Sequence, residues 1–126
     1  LNLSSKDEVI FPVNSYPTAF PIFLSGVKGV LADVDENGQL DPSSLLKKIT
    51  PNTKAVVIVH LYGLVGQLNK IIQICKDKKL ILIEDCAQAF GTKYKNQYVG
   101  TFGDIGCFSF YTTKNLGLEK KNITNF

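Results

Sequence analysis

The sequence predicts an α/β fold in which helices cover a mostly parallel sheet in three layers. With 126 residues, 44% apolar and 20% charged, the chain has the composition of about one globular domain. Apolar runs of strand length alternate with segments whose apolar residues recur at helical spacing, which is typical of βαβ units. Because such crossovers are right-handed, the helices should pack on the faces of the sheet.

The first elements can be assigned in order along the chain. Residues 8–12 are apolar and end at a proline, so they predict a strand. Residues 15–25 predict a short helix with Pro17 in its first turn. The alternating pattern within 27–34 predicts a second strand, and 35–38 have turn chemistry.

The next strands and helices follow the same alternation. Asp41 and Pro42 predict the N-cap and the first position of a helix. Residues 54–59 and 79–84 are apolar enough for strands buried on both faces, and 67–78 have helical spacing. In parallel sheets, ligands bind at the carboxyl ends of the strands, so polar residues at those ends are candidates for a site.

Beyond residue 91 the pattern changes. Residues 92–95 and 97–99 flank a turn and predict a hairpin, 105–111 predict a strand, and 112–115 predict a loop. The spacing of Gly100, Gly103 and Gly106 is similar to that of a phosphate-binding loop, but such a loop follows a strand and opens a helix. This stretch opens a strand, so turns are favoured over nucleotide binding.

Composition and charge disfavour several other classes of protein. The formal charge is +3 and the lysines are scattered, which indicates solvated helix faces rather than a nucleic-acid-binding surface. No apolar run is long enough to span a membrane. Cys75, Cys86 and Cys107 are odd in number and lack C-x-x-C spacing, so we expect reduced thiols in a cytoplasmic protein, with no metal site and no disulfide. The sequence contains no Met, and we expect it to be a piece of a longer protein.

Four polar residues near predicted strand ends could carry chemistry. Asp85 ends a buried strand, where a carboxylate needs a hydrogen-bonding or cationic partner. A protonated pyridine nitrogen, as in pyridoxal 5′-phosphate (PLP), is one such partner, and Gln88 could reach the same ligand. Ser109 could bind a phosphate oxygen, and Lys114 could form a Schiff base. From spacing alone the structural alternative is favoured, in which Asp85 caps the next segment and Lys114 is one exposed lysine among fourteen.

Two blocks of sequence carry a more specific signal. An E-D-x-A-Q block lies within 83–91, and an S-F-x-x-x-K block lies within 103–117. Together they resemble the DegT/StrS-type nucleotide-sugar aminotransferases, and 59–63, 33–35 and 7–16 are also similar to that family. The resemblance extends over residues 1–117 and implies a PLP-dependent enzyme with the aspartate-aminotransferase-like fold (fold type I). Residues 1–126 would then form part of its PLP-binding large domain.

The resemblance implies a role for each candidate. Lys114 would bind the cofactor covalently and move the proton during transamination, and Asp85 would pair with the pyridinium nitrogen. Gln88 would contact the region of the ring hydroxyl, Ser109 would hold the phosphate, and Tyr16 would stack on the ring. Outside these five positions, we expect a structural hydrogen bond for the single histidine, His60, and a turn or local cap at Asp104.

The implied reaction is transamination of a nucleotide-linked keto-sugar, with an amino acid, by analogy glutamate, as the donor. Such amino sugars feed polysaccharide biosynthesis. The resemblance also implies that the full-length protein is a homodimer. One alternative is a sugar dehydratase of the same family, but Lys114 favours the aminotransferase. A second is a catalytically inactive remnant, since the family's upstream phosphate-binding segment and small C-terminal domain are missing from this chain. Residues 118–121 also depart from the glycine-rich stretch that usually follows the lysine.

Overall fold

A computed structural model describes residues 1–114 of the chain. Seven strands and three α-helices follow one another in this part. They are β1 (Glu8–Pro12), α1 (Tyr16–Leu24), β2 (Lys28–Ala32), α2 (Pro42–Lys48), β3 (Thr53–Val59), α3 (Leu68–Lys78), β4 (Ile81–Asp85), β5 (Lys93–Tyr94), β6 (Gln97–Tyr98) and β7 (Ile105–Cys107). A single 3₁₀ turn, Leu61–Gly63, lies between β3 and α3.

The central sheet has five strands in the order β2-β1-β3-β4-β7, and all four neighbouring pairs are parallel. The predicted α/β class with a mostly parallel sheet is therefore confirmed. Because every strand runs the same way, all five end at one side, which we call the carboxyl edge. The only antiparallel pair within residues 1–114 that forms a ladder is the predicted hairpin β5-β6, whose turn residues Lys95 and Asn96 both have positive φ.

Helices cover both faces of the sheet, as predicted. Side chains alternate between the two faces along a strand, so Ile10 and Val56 pack with Leu45 of α2 and Ile71 of α3. The neighbouring strand residues face the opposite side and pack against α1 through its Ala19 and Ile22. They are Val9, Phe11, Ala55 and Val57. The three layers thus follow directly from the period-two pattern of β1 and β3.

Local chemistry explains where α2 begins. The side chain of Asp41 accepts hydrogen bonds from the backbone N–H groups of Ser43 at 3.0 Å and Ser44 at 3.1 Å. Pro42 occupies the first turn, where no intrahelical donor is needed. The predicted N-cap is therefore confirmed.

The last predicted strand was too long. The expected range was 105–111, but β7 ends at Cys107, which pairs with Asp85, the last residue of β4. Beyond Asp85 there is no β4 backbone with which residues 108–111 could form ladder hydrogen bonds, and a strand ends where its partner ends. The predicted loop begins in the described chain, whereas Asn115 and the sequence features at 116–121 lie outside the described residues. In residues 1–114, no helix has the length and apolar character needed to cross a membrane.

Candidate active site at the carboxyl edge

Asp85 is the central charged group at the carboxyl edge. Its Oδ2 accepts a hydrogen bond from the Thr18 hydroxyl at 2.8 Å, and its Oδ1 accepts one from the backbone N–H of Ala87 at 3.1 Å. The Thr18 hydroxyl also lies 2.7 Å from that of Ser15, just before α1. Both donors to Asp85 are neutral groups, a hydroxyl and a backbone amide, and the carboxylate is half-buried. Within residues 1–114, the only lysine–carboxylate ion pair is Lys28–Glu8, which does not involve Asp85.

An open cleft of about 270 Å³ lies beside Asp85. Its walls are mostly apolar and come from α1, β3, β4 and the chain after β7. They include Thr18, Ile22, Val57, Ile83 and Phe108. An anionic carboxylate on an apolar wall suits a flat, cationic heteroaromatic ring, because a carboxylate has about four acceptor positions and Asp85 uses two of them here.

Gln88 ties the β4 end to the neighbouring turn. Its Oε1 accepts a hydrogen bond from the backbone N–H of Tyr62 at 3.1 Å. Tyr62 has φ 56° and its side chain is 79% exposed, so this turn holds an aromatic residue in the left-handed region at the rim of the edge. The sequence did not indicate this contact between Gln88 and the turn that carries Tyr62.

Ser109 and Lys114 follow β7 on the same side of the sheet. Ser109 is half-buried and stands between two aromatic rings, Phe108 and Phe110, which both pack edge-on against Phe90 at centroid distances of 6.1 and 5.8 Å. The backbone N–H of Lys114 donates to the carbonyl of Tyr111 at 2.8 Å, which closes a turn at the end of the described chain. These contacts hold the segment after β7 against the segment after β4.

Tyr16 is the first residue of α1, two positions before Thr18. Its side chain is 76% exposed, and its ring centroid lies 6.5 Å from that of Phe20. Tyr16 thus lies at the carboxyl edge, and its ring is exposed to solvent. The sequence proposed Tyr16 as a candidate and gave no expectation for Thr18, although a hydroxyl in the first turn of the helix that follows β1 was a usable signal.

Glu84 precedes Asp85 and has the opposite environment. It is fully buried, and four N–H groups surround its carboxylate. Its Oε2 accepts from His60 Nε2 at 2.9 Å and from the Gly100 amide at 2.8 Å, and its Oε1 accepts from the amides of Phe102 and Gly103, both at 2.7 Å. Burial by itself would raise the pKa of the Glu84 carboxyl, but the hydrogen bonds from His60 and the three amides outweigh it and lower that pKa. We call these five residues the Glu84 clamp.

The glycine-rich stretch therefore binds an anion that belongs to the protein itself. Its amides donate to the Glu84 carboxylate, so they are not available for a phosphate. The stretch therefore forms turns, as predicted, rather than a nucleotide-binding loop. A side chain at Gly103 would meet the Leu82 carbonyl at 2.7 Å, so only glycine allows the loop to lie this close to β4. Asp104 accepts a hydrogen bond from the Leu82 amide at 2.8 Å, so it binds the backbone of β4, 22 positions away, rather than capping its own segment. The contact of His60 with Glu84 confirms the expected structural hydrogen bond.

Three potential metal ligands lie together in this region, but their chemistry favours a hydrogen-bond network. Ligand atoms of His60, Glu84 and Cys86 are all within 4.8 Å of one another. Each Glu84 oxygen already accepts two N–H groups. Burial, together with the nearby carboxylates of Glu84 and Asp85, raises the pKa of the Cys86 thiol to about 12, which keeps it protonated and a poor ligand.

The chain is similar to a known family of proteins. Residues 1–119 match the model of the DegT/DnrJ/EryC1/StrS aminotransferase family. The chain is 44% identical over 118 residues to GDP-perosamine synthase of Escherichia coli O157:H7, covering 92% of this chain and 32% of the relative. It is 43% identical to a UDP-N-acetyl-3-dehydro-alpha-D-glucosamine 3-aminotransferase of Acidithiobacillus ferrooxidans, covering 93% and 32%. The chain thus spans about a third of these relatives.

Solved structures agree with the observed fold. DesV of S. venezuelae, in complex with a ketimine intermediate, superposes with a TM-score of 0.87 at 34% identity, covering 93% of this chain and 32% of that one. NtdA of Bacillus subtilis with bound cofactor PMP superposes with a TM-score of 0.86 at 35% identity, covering 94% and 27%. The sequence and the three-layer fold agree with these proteins, and the chain belongs to the DegT/DnrJ/EryC1/StrS aminotransferase family.

Proposed function

We propose that this chain is part of the PLP-binding large domain of an aminotransferase that acts on a nucleotide-linked keto-sugar. The observation that carries the proposal is the Asp85 carboxylate, which stands on the apolar wall of a cleft with only neutral hydrogen-bond donors. A buried or half-buried carboxylate of this kind is stabilised by a cation, and a pyridinium nitrogen supplies one. The sequence identity of 44% and 43% to two sugar-biosynthesis enzymes supports the proposed reaction class.

Each candidate residue has a proposed task. PLP, when bound, supplies the electron sink that acidifies the carbon bearing the amino group. Asp85 holds the ring nitrogen protonated, and Gln88 orients the ring through the amide that remains free beside its contact with Tyr62. Ser109 donates to the phosphate, Tyr16 covers one face of the ring, and Lys114 binds the cofactor and carries the proton between substrate and cofactor.

The proposed partners follow from the relatives. The substrate is a nucleotide sugar in a pathway to amino sugars or polysaccharides, and an amino acid donates nitrogen. Glutamate is our first choice, although two relatives are named as L-glutamine:2-deoxy-scyllo-inosose aminotransferases, so glutamine is the donor to compare with it. We further propose a homodimer of the whole protein in the cytoplasm, where its three free cysteines stay reduced.

Borohydride reduction of the full-length protein tests the role of Lys114. We expect PLP to give an absorbance band that borohydride converts to a stable adduct, and peptide mapping to find that adduct on Lys114. Lys114→Arg should abolish the fixed label and reduce transamination by several orders of magnitude, because arginine cannot form the covalent link. Lys47→Arg, which changes an exposed lysine of α2, is the matched control and should keep both.

Two results would contradict this proposal. One is a wild-type protein without a borohydride-sensitive band, and the other is a label on a lysine other than Lys114. Amino-group transfer measured with glutamate and with glutamine then separates the donors, since only the true donor should convert bound PLP to its amino form.

A further inference from the structure

The Glu84 clamp joins three stretches of chain, and each leads directly to a proposed cofactor residue. Glu84 is followed on β4 by Asp85. His60 begins the turn whose Tyr62 amide binds Gln88. The amides of Gly100, Phe102 and Gly103 belong to the loop that runs into β7, which ends two residues before Ser109.

From this juxtaposition we infer that Glu84 is the positioning residue of the cofactor site. It holds the chain that carries Ser109 and Lys114 at a set distance from the Asp85 end of β4. The inference rests on the proposed function, because it assigns Glu84 a task toward the same cofactor. Glu84 itself acts through Asp85 and the β7 segment and touches neither cofactor nor substrate.

The strand pairing alone is a weak hold on this segment. β7 contributes only three residues to the sheet, and within residues 1–114 all three are exposed and pair with β4 alone. By contrast, the loop just before it makes three charge-assisted hydrogen bonds with a fully buried carboxylate. The clamp, together with the two hydrogen bonds between Asp104 and the Leu82 backbone, therefore sets where the chain enters β7.

The hydrogen-bond pattern requires a carboxylate at position 84. If a glutamine amide nitrogen replaced Oε1, it would face the amides of Phe102 and Gly103, which are donors too. If the amide nitrogen replaced Oε2, it would face His60 and the Gly100 amide. His60 could change its tautomer and accept a hydrogen bond, but the Gly100 amide can only donate. In either orientation at least one backbone donor loses its partner, and the loop must move.

Glu84→Gln in the full-length protein tests the inference, with Glu8→Gln as a matched control. Glu8 is 3% exposed and also accepts several hydrogen bonds, from Lys28, Thr50 and Thr53, but it lies at the start of β1, on the opposite edge of the sheet. The first measurement compares the changes in kcat and in KM and records the absorbance maximum of bound PLP. The second is amide hydrogen exchange over residues 99–107 in the cofactor-free protein.

We expect Glu84→Gln to lower kcat on the order of 100-fold, with a much smaller change in KM, and to shift the absorbance maximum. We also expect faster exchange across 99–107. Glu8→Gln should lower the unfolding temperature but leave the absorbance maximum, kcat and the exchange of 99–107 unchanged. Equal effects of the two substitutions on kcat would mean that Glu84 serves stability alone, and the inference would be wrong.

A second pair of variants covers the case in which Glu84→Gln does not fold. His60→Leu removes one donor from the clamp, whereas His60→Gln can still donate through its amide. His60→Leu should reproduce the spectral shift and the faster exchange in weaker form, and His60→Gln should restore values near the wild type. An absorbance maximum and an exchange rate that are the same in both variants would overturn the inference.

The two proposals fail in different ways. A wild-type protein without a borohydride-sensitive band refutes the proposed function. A wild-type protein with the band, whose absorbance maximum is insensitive to both Glu84→Gln and His60→Leu, refutes the inference alone.

Discussion

Two adjacent carboxylates, Glu84 and Asp85, differ in every property that matters for their roles. Successive strand residues point to opposite faces of a sheet, so Glu84 meets four N–H donors on one face and Asp85 meets Thr18 on the other. Glu84 has no acceptor position left, while Asp85 retains some beside an open cleft. At the scale of the residue, Glu84 binds only groups of the protein itself, and Asp85 is the group available for a ligand.

Replacement of Asp85 by asparagine tests this division. The variant keeps the shape of the side chain but loses the charge that stabilises a ring cation, so we expect the full-length protein to retain PLP while transamination falls roughly 100-fold or more. Single-turnover absorbance changes with the amino donor give the rate of proton removal. Asp7→Asn, a half-buried carboxylate at the opposite edge, should react at the wild-type rate. An unchanged rate in Asp85→Asn would refute the role of Asp85.

At the scale of the element, sequence and structure agree wherever local signals are strong. The apolar runs became β1, β3 and β4, and the helical spacing within 67–78 became α3 (Leu68–Lys78). The mistake at β7 has a tertiary cause, because a strand extends only as far as its neighbour does and β4 stops at Asp85. A pattern of residues along one strand does not contain the length of its partner.

The N-cap of α2 can be tested by itself. Asp41→Ala removes both side-chain acceptors from the Ser43 and Ser44 amides and should lower the free energy of unfolding by about 1 kcal/mol. Ser43→Ala changes an exposed residue in the same turn and is the control. Urea unfolding measures both. A loss in Asp41→Ala no larger than that in Ser43→Ala would show that the cap contributes nothing.

At the scale of the whole molecule, the sheet carries one buried, hydrogen-bonded glutamate near each edge. Hydrogen-bond donors lower the pKa of both carboxyls below the ordinary glutamate value of 4.5. For Glu8 the largest cause is the hydrogen bond from Lys28. For Glu84, burial raises the pKa, but the hydrogen bonds from His60 and the three amides outweigh the effect of burial. A group whose pKa is lower in the folded state stabilises that state above its unfolded pKa. The stabilisation is lost as the pH falls through the folded pKa.

Stability should therefore depend on pH in a specific window. We expect the free energy of unfolding contributed by these carboxyls to be constant above about pH 4.5 and to decline below it, by up to about 1.4 kcal/mol per pH unit for each group. Urea unfolding of the full-length protein at several pH values measures the slope. Glu84→Gln and Glu8→Gln should each reduce the slope, and a slope that neither variant changes would contradict this assignment.

The sequence by itself determined the fold class and the order of the elements, because apolar periodicity, caps and motif spacing are local properties of a chain. It also proposed the candidates at positions 85, 88, 109 and 114, and its resemblance to a family added the candidate at position 16. Only the tertiary structure decided which groups meet at the carboxyl edge. The contact of Thr18 with Asp85 joins residues 67 positions apart, and the capture of Glu84 by the glycine-rich loop joins residues 16 to 19 positions apart. Such contacts depend on how parallel strands align side by side, and no local pattern specifies that alignment.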